Sequence, residues 1–426
     1  MTGVSDDPPT QPPPQPATRL ARRLGTGDAV VIGLGSMIGA GVFAAIGPAA
    51  AAAGSGLLIG LGLAAVVAYC NAASSAQLAA VHPQSGGTYV YGREQLGPLW
   101  GYIAGWGFVV GKTASCAAMA LTVGAYAWPD HARPVAVAAV VALGVVNYLG
   151  VQKTAWLTRV IVAVVLATLA AVVVANLGGG QASVDNFGPL GTGGWRGILE
   201  SAGLLFFAFA GYARIATLGE EVVDPARTIP RAIPIALGIT LVVYALVAIT
   251  ALLAAGPDLL AASSAPLADA VRAGDLDWLA PVVGIGGTVA ALGVLLSLLA
   301  GVSRTTFAMA SNRHLPGWLD AVHPVHRVPH RAELAVVIAV IVLVLTVDLR
   351  GAIGFSSFAV LAYYAIANLS AWTLEPHQRR WPRPVAGLGV IGCVVLAVTL
   401  PATSVAAGAG VLALGVLTWW VTERVR

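Results

Sequence analysis

The sequence is poor in charged residues. Only 10% of its 426 residues are Asp, Glu, Lys or Arg, whereas a soluble globular domain carries about 25%. Hydrophobic residues make up 58% of the chain. This balance excludes an ordinary soluble globular protein and predicts an all-α, multi-pass membrane protein. The net charge of +4 arises from basic residues spread along the loops, so no nucleic-acid partner is predicted.

Cysteine is scarce as well. Cys70, Cys116 and Cys393 lie in separate apolar runs without the spacing of a metal site. The sequence therefore predicts neither a disulfide framework nor a cysteine-ligated metal.

Histidine is missing from the apolar runs, because all seven histidines fall in loops. His323, His326 and His330 have a loosely metal-like spacing, but Pro324 and Pro329 break any helix that would align them. No intramembrane His or carboxylate pair suggests hydrolytic chemistry. The chain is therefore expected to have no metal, no cofactor and no enzymatic activity.

What the chain does have is long apolar runs. A helix needs roughly 20 apolar residues to cross a bilayer, and length and apolarity predict twelve spans. They are residues 28–53, 56–80, 98–128, 134–150, 157–176, 196–218, 232–255, 279–302, 332–347, 351–374, 385–401 and 403–422.

Lys and Arg predict the orientation of these spans. Residues 1–27 are rich in proline and then basic, and they predict a disordered cytosolic tail. If this tail is inside, most of the 23 Lys and Arg residues fall in cytosolic loops. The outer loops carry only Arg133, Arg196, Arg272 and Arg350. The positive-inside rule then favours a plasma (cell inner) membrane protein in contact with lipid, with both termini cytoplasmic.

The first span contains an unusual glycine run, Gly33-Leu-Gly-Ser-Met37-Ile-Gly39-Ala-Gly41-Val-Phe43. Four glycines in nine positions make a poor helix. A break at Gly39-Ala40-Gly41 would expose amide N–H groups at mid-membrane, where a helix end binds a carboxylate. The alternative is an unbroken helix that uses glycine to pack tightly against a neighbour.

A second break is predicted five spans later, in Phe206-Phe-Ala-Phe-Ala-Gly211-Tyr-Ala-Arg214. If the chain consists of two inverted repeats of five spans, these two helices are equivalent and their breaks meet at the midplane. Paired interrupted helices are a good sequence indicator of a transporter site. The alternative is that the three phenylalanines are ordinary core or lipid-facing aromatics.

Several stretches, in the right order and spacing, resemble the amino acid–polyamine–organocation superfamily of permeases, close to its cationic amino acid transporter branch. They are Gly39-Ala-Gly41-Val-Phe43, Pro83-Gln-Ser-Gly-Gly-Thr-Tyr89-Val-Tyr91, Gly101-Tyr-Ile-Ala-Gly105-Trp106, Phe206-Phe-Ala-Phe-Ala-Gly-Tyr212, Glu220-Glu-Val-Val-Asp-Pro225-Ala-Arg227-Thr-Ile-Pro230 and Arg304 through Asn312.

The resemblance implies a LeuT-type fold of five plus five spans with two extra C-terminal helices. The first repeat would be residues 28–176, the second 196–374, and the extra helices would lie in 385–426. The resemblance also implies that the backbone around Met37, Gly39, Ala40 and Gly41 holds the substrate's amino and carboxyl groups. Phe207, Ala208, Ala210 and Gly211 would lie opposite, with Phe207 as an aromatic gate.

Two departures from the family pattern bear on substrate and coupling. Relatives of the cationic branch often carry an acid just after the glycine–aromatic pair of span six, where this chain has Ala213-Arg214. Some proton-coupled relatives have a lysine in span five, and the corresponding stretch, Val160 to Val165, has none. Neutral amino acids are thus slightly favoured over cationic ones.

Two of the Lys and Arg residues are assigned to neither side of the membrane and lie inside spans. Lys112 lies near the middle of span three, where a charge is costly and marks function by default. It is a candidate for the internal cation of proton coupling; the alternative is a lysine that snorkels or pairs with a helix end. Arg214 is predicted to pair with Glu220 or Glu221 as a cytosolic gate, and the alternative is contact with a substrate carboxylate.

The sequence therefore predicts a secondary active amino acid transporter that works by alternating access, through proton symport or exchange. Span eight offers only Ser297 and Ser303 as hydroxyls for a sodium site, which favours protons or exchange. A polyamine or organic-cation carrier and a non-transporting amino acid sensor are the alternatives. The oligomeric state is not predicted.

Overall fold

The computed structural model describes residues 24–82, 86–150, 155–216, 218 and 221–425, and the described part is almost entirely helical. No strand occurs within these ranges; a single parallel bridge pairs Leu24 with Val222. The tail prediction for residues 1–23 lies outside the described part. Helix α1 begins at Thr26, two residues before the predicted boundary.

Sixteen α-helices are described within these ranges. They are α1 (Thr26–Met37), α2 (Ala40–Ala53), α3 (Leu57–Val81), α4 (Thr88–Leu96), α5 (Pro98–Ala127), α6 (Ala132–Tyr148), α7 (Ala155–Gly178), α8 (Gly194–Phe209), α9 (Ala213–Ala216), α10 (Pro225–Ala262), α11 (Pro266–Ala273), α12 (Ala280–Ser311), α13 (His330–Thr346), α14 (Leu349–Thr373), α15 (Arg383–Thr399) and α16 (Ala402–Val425).

Each of the twelve predicted spans overlaps described helical structure, and the helix ends differ from the predicted ones by up to nine residues, as at the end of α12. Eight helical segments of the described chain are long and apolar enough to cross a membrane. Together with the exposed apolar side chains along α10, α13 and α15, they indicate a multi-pass membrane protein.

Tryptophan supports the same interpretation. Eight tryptophans are more than 40% exposed and fall at or near helix ends: Trp100, Trp128, Trp156, Trp195, Trp278, Trp318, Trp372 and Trp420. Tryptophan side chains gather at both membrane–water interfaces, where an apolar ring with one polar group is stable.

The helices divide into a central group and a peripheral group. In the most apolar 18-residue stretch of α5, 83% of the residues are buried, and in that of α14, 78% are buried. The buried share is only 22% both in the segment that contains α6 and in α16. Helix α5 packs along both α12 and α14, and α8 packs against α2 and α3. The interrupted helices therefore lie within a shell of other helices.

Two helices were not predicted as separate elements. Helix α4 precedes α5 on the predicted cytosolic side. Helix α11 lies in the predicted outer loop 256–278. Leu267, Ala270 and Val271 are buried on one side of α11, while Asp269 and Arg272 pair on its other side.

Candidate functional site

The first span is interrupted between α1 and α2. Helix α1 ends at Met37, Ile38 and Gly39 have non-helical dihedral angles, and α2 begins at Ala40. The break was expected at Gly39-Ala40-Gly41, so it begins one residue earlier. Because the first N–H groups of a helix have no partner within it, the start of α2 presents backbone donors in the middle of the span. The side chain of Ala40 lies outside the described part.

The sixth span is interrupted at the predicted place. Helix α8 ends at Phe209, and Ala210–Tyr212 form a tighter 3-10 turn. Only the four-residue α9 comes next. The Ala210 N–H bonds to the Phe207 oxygen as in a 3-10 turn, and the oxygens of Ala208 and Ala210 are reached by tyrosine hydroxyls. This interruption therefore presents backbone acceptors.

The two interruptions touch each other. A Cβ atom added to Gly41 would lie 2.6 Å from the Cα atom of Ala208, and one added to Gly211 would lie 2.1 Å from the carbonyl oxygen of Ser36. Both distances are too short for a side chain. Glycine at these two positions therefore permits direct contact between the two interrupted segments.

One tyrosine joins the two interruptions. The Tyr244 hydroxyl on α10 lies 2.5 Å from the carbonyl oxygen of Met37 and 3.1 Å from that of Ala208. One proton is shared between two acceptors, one from the end of α1 and one from the end of α8. Sequence reasoning missed Tyr244, because a tyrosine in a long apolar helix carries no motif.

A second tyrosine reaches the sixth-span interruption. The Tyr364 hydroxyl on α14 lies 3.5 Å from the carbonyl oxygen of Ala210, at the long limit of a hydrogen bond. The ring of Tyr364 also contacts that of Tyr212 at a tilt of 32°, with 5.1 Å between ring centroids. This residue too was missing from the sequence prediction.

Helices α5 and α12 close the other side of the interruption. A Cβ atom on Gly39 would lie 2.2 Å from the Val294 side chain of α12. The Tyr126 hydroxyl at the end of α5 donates to the carbonyl oxygen of Phe43, 3.0 Å away. The hydroxyls of Ser297 and Ser303 bond to their own helix, so they serve the α12 backbone in this arrangement.

The predicted aromatic gate differs from its neighbours in burial. Phe206 and Phe209 are fully buried against Tyr364 and Tyr244 respectively. Phe207 is only partly buried. Of these three phenylalanines, Phe207 has the most freedom to move.

A small apolar cavity adjoins the contact between Gly41 and Ala208. It lies between α2, α3, α8 and α10, and its lining has one polar side chain, that of Tyr244. The lining residues are Val42, Ile46, Leu57, Leu61, Leu205, Ala208, Tyr244 and Ala248. No acidic side chain is among these lining residues.

Lys112 is buried at the middle of α5, with 8% of its surface exposed. Its neighbour Gly111 packs against Ala359 of α14, and Cys116 lies one turn away on the same helix. No hydrogen bond or ion pair joins its ammonium to a residue in the described ranges.

Arg214 lies in α9, just beyond the interruption. Its guanidinium is 3.8 Å from the carboxylate of Glu221, and both side chains are substantially exposed. Glu220, the other predicted partner, and the side chain of Ala213 lie outside the described part.

No cluster of His, Cys, Asp and Glu within the described ranges has the geometry of a metal site. Instead, Nδ1 of His323 accepts the backbone N–H groups of Val325 and His326, each at 3.2 Å, and so stabilises a turn. The pKa of His323 is lowered, chiefly by partial desolvation of its ring. Electrostatic repulsion from His326 and His330 lowers this pKa further. The three cysteines are buried and form no disulfide.

Comparison with known proteins gives one family and several relatives. The model of a family described as amino acid permease matches residues 24–421. An uncharacterized transporter of Mycobacterium tuberculosis is 66% identical over 413 residues, which cover 96% of this chain and 93% of that protein.

More distant relatives carry substrate names. The branched-chain amino acid permease BcaP of Bacillus subtilis is 26% identical over 427 residues, covering 89% of this chain and 88% of that protein. The human cationic amino acid transporter 4 is 28% identical over 387 residues, covering 84% of this chain and 60% of that protein. These names point to a permease rather than an enzyme.

Proposed function

Since this chain belongs to the amino acid permease family, as the resemblance in its sequence predicted, we propose that it is a secondary active transporter of neutral amino acids. It would work by alternating access across the cell inner membrane, with both termini in the cytoplasm. The proposal includes twelve membrane spans and a LeuT-type arrangement of two inverted five-span repeats.

The observation that carries the proposal is the contact between two interrupted helices. The first turn of α2 offers N–H donors together with the positive end of a helix dipole, and this combination suits a carboxylate. The end of α8 offers carbonyl oxygens near Ala208 and Ala210. Each carbonyl oxygen has two lone pairs, so one remains for an ammonium group when a tyrosine donates to the other.

The neutral preference rests on the absence of an acid from the stretches Met37–Phe43 and Phe206–Tyr212. A Lys or Arg side chain would have to leave water there without a compensating carboxylate, which is costly. The names of the relatives include both a branched-chain and a cationic substrate class.

Thermal stabilisation of the purified protein by each of the twenty amino acids tests the substrate class. A ligand at 100 times its dissociation constant adds about 2.7 kcal/mol to the unfolding free energy. We expect stabilisation by neutral amino acids and none by their methyl esters or N-acetyl forms, because each analogue lacks one of the two charges that the interruptions recognise.

Other outcomes would identify the alternatives. Stabilisation by Lys, Arg or ornithine alone would contradict the neutral class. Stabilisation by polyamines alone would contradict a carboxylate site at α2. Binding without uptake of the same amino acid into proteoliposomes would favour a sensor over a carrier.

For coupling, Lys112 is the proposed internal cation. An ammonium buried without a partner tends to lose its proton, and a lysine can exchange that proton where an arginine cannot. In proteoliposomes, an inward proton gradient should accelerate uptake by the wild type. Lys112→Met and Lys112→Arg should both abolish this acceleration while retaining exchange of internal for external substrate. Unchanged pH dependence in both variants would contradict the role.

Arg214 is proposed as part of a cytosolic gate through Glu221 rather than as a substrate ligand. Arg214→Ala should leave the stabilisation by substrate within about twofold of wild type, because an exposed ion pair contributes little free energy. Loss of substrate binding in this variant would instead assign Arg214 to the site.

A further inference from the structure

Two ion pairs connect helices that are far apart in the sequence. Asp28 of α1 pairs with Arg159 of α7 at 2.7 Å, and Glu200 of α8 pairs with Arg350 of α14 at 2.7 Å. The other Arg–carboxylate pairs within the described ranges join residues no more than seven positions apart, namely Arg93–Glu94, Arg214–Glu221, Arg227–Asp224 and Arg272–Asp269. Among these pairs, the two distant ones can hold separate spans together.

The two pairs occupy matching positions relative to the interruptions. Asp28 lies eleven residues before Gly39, and Glu200 lies eleven residues before Gly211. At 1.5 Å per helical residue, each acid is about 16 Å along its helix from the broken segment. Each partner arginine lies near the start of its helix, Arg159 in α7 and Arg350 in α14.

The predicted span order puts the pairs at opposite ends of the molecule. In that order α1 and α7 begin spans one and five on the cytosolic side, whereas α8 and α14 begin spans six and ten on the outer side. In span order, the first pair joins spans one and five, and the second joins spans six and ten. An inverted repeat of five spans relates these two pairs to each other.

We propose that Asp28–Arg159 and Glu200–Arg350 are equivalent locks on the two faces of the transporter, each of which must break when its own face opens. The inference rests on the proposed function. Both pairs are formed here, as an arrangement closed on both sides requires. Asp28 also accepts the N–H of Gly25, so the inner lock additionally fixes the start of α1.

The two locks are not equally strong. The side chain of Glu200 is 18% exposed and that of Asp28 is 34% exposed. A less exposed pair is less screened by water and salt, so its loss has a larger effect. We therefore expect Asp28→Asn to raise the inward-open population about twofold and Glu200→Gln to raise the outward-open population about fivefold.

Distance measurements between spin labels in the reconstituted full chain test this. The native cysteines are buried, so introduced surface cysteines are labelled selectively. Gly27→Cys with Trp156→Cys reports on the inner face, and Trp195→Cys with Thr346→Cys reports on the outer face. Asp28→Asn should lengthen only the inner distance, and Glu200→Gln only the outer one.

Matched controls are available on both faces. Glu94→Gln removes an acid that pairs with the adjacent Arg93 in α4, and Asp269→Asn removes one that pairs within α11. Neither pair joins two spans, so neither substitution should change either distance. The charge exchange Asp28→Arg with Arg159→Asp should restore the wild-type inner distance if α1 and α7 are joined by charge.

The outcomes separate this inference from the proposed function. If wild-type protein takes up amino acids but Asp28→Asn and Glu200→Gln leave both distances unchanged, the locks are refuted and the transporter stands. The inference is equally refuted if both substitutions open the same face. If the wild type shows neither uptake nor exchange, the proposed function itself fails.

Discussion

The interruption between α1 and α2 and the interruption at the end of α8 differ in how the chain resumes. After Ile38 and Gly39 it continues as a helix of 14 residues, whereas the residues described between Phe209 and Ala216 form a 3-10 turn and the four-residue α9. The first interruption therefore ends in a strong helix N-terminus, and the second in a set of carbonyl oxygens. A site for a molecule with one carboxylate and one ammonium needs one of each.

Two kinds of interaction stabilise the interruptions. Glycine allows neighbours to come close: Gly41 lies against Ala208 and Gly211 against Ser36. Tyrosine hydroxyls reach carbonyl oxygens: Tyr244 those of Met37 and Ala208, and Tyr364 that of Ala210. Steric fit and hydrogen bonding can therefore be perturbed separately, and we order three such tests by expected effect.

The largest effect is expected from Gly211→Ala. Its Cβ would lie 2.1 Å from the backbone oxygen of Ser36, and backbone cannot yield as a side chain can. Overpacking of this kind costs about 1–3 kcal/mol or more. We expect a lower melting temperature and loss of substrate-induced stabilisation. Gly62→Ala is the control, because no atom lies within 4 Å of its added Cβ; equal behaviour of the two variants would refute the close contact.

A smaller effect is expected from Tyr244→Phe. The substitution keeps the ring but removes the hydroxyl that serves both Met37 and Ala208. Leaving buried acceptors without a donor costs about 1–3 kcal/mol. We expect a lower melting temperature, because both interruptions lose their shared hydrogen-bond donor. At roughly 1.4 kcal/mol per factor of ten in affinity, substrate binding measured by titration calorimetry should be about tenfold weaker. Unaltered binding would show that they are positioned independently of each other.

The smallest effect is expected from Tyr364→Phe. Its hydroxyl lies 3.5 Å from the Ala210 oxygen, and side-chain hydrogen bonds between membrane helices average about 0.6 kcal/mol. Substrate binding should weaken about threefold at most. If this variant proved worse than Tyr244→Phe, the Ala210 carbonyl would matter more than the shared contact at Ala208.

The sequence carried the span positions and both interruptions, because apolar length and clustered glycines act locally along the chain. It also predicted the residues on the two sides of the contact, through Gly41, Ala208 and Gly211. It did not predict Tyr244 or Tyr364, whose roles depend on which distant carbonyl their hydroxyls reach. It did not predict the Asp28–Arg159 and Glu200–Arg350 pairs either, since pairing across more than a hundred residues depends on the tertiary packing of the spans.

The glycine run also shows why two interpretations of the same residues need not compete. A break in the helix and tight helix packing were treated as alternatives for residues 33–41. Gly33 and Gly35 pack against Ile215 and Val162 while the chain is still helical. Gly39 and Gly41 lie at the interruption itself. The glycine run thus indicated both tight helix packing, at Gly33 and Gly35, and a helix break, at Gly39 and Gly41.

The bridge between Leu24 and Val222 has a mechanical consequence. Two backbone hydrogen bonds, Leu24 N–H to the Glu221 oxygen and Val223 N–H to the Leu24 oxygen, fasten the chain just before α1 to the chain beyond α9. The start of α1 and the segment around Val222 are thereby joined by backbone rather than by side chains. A displacement of one of these two segments must therefore either move the other or break both hydrogen bonds.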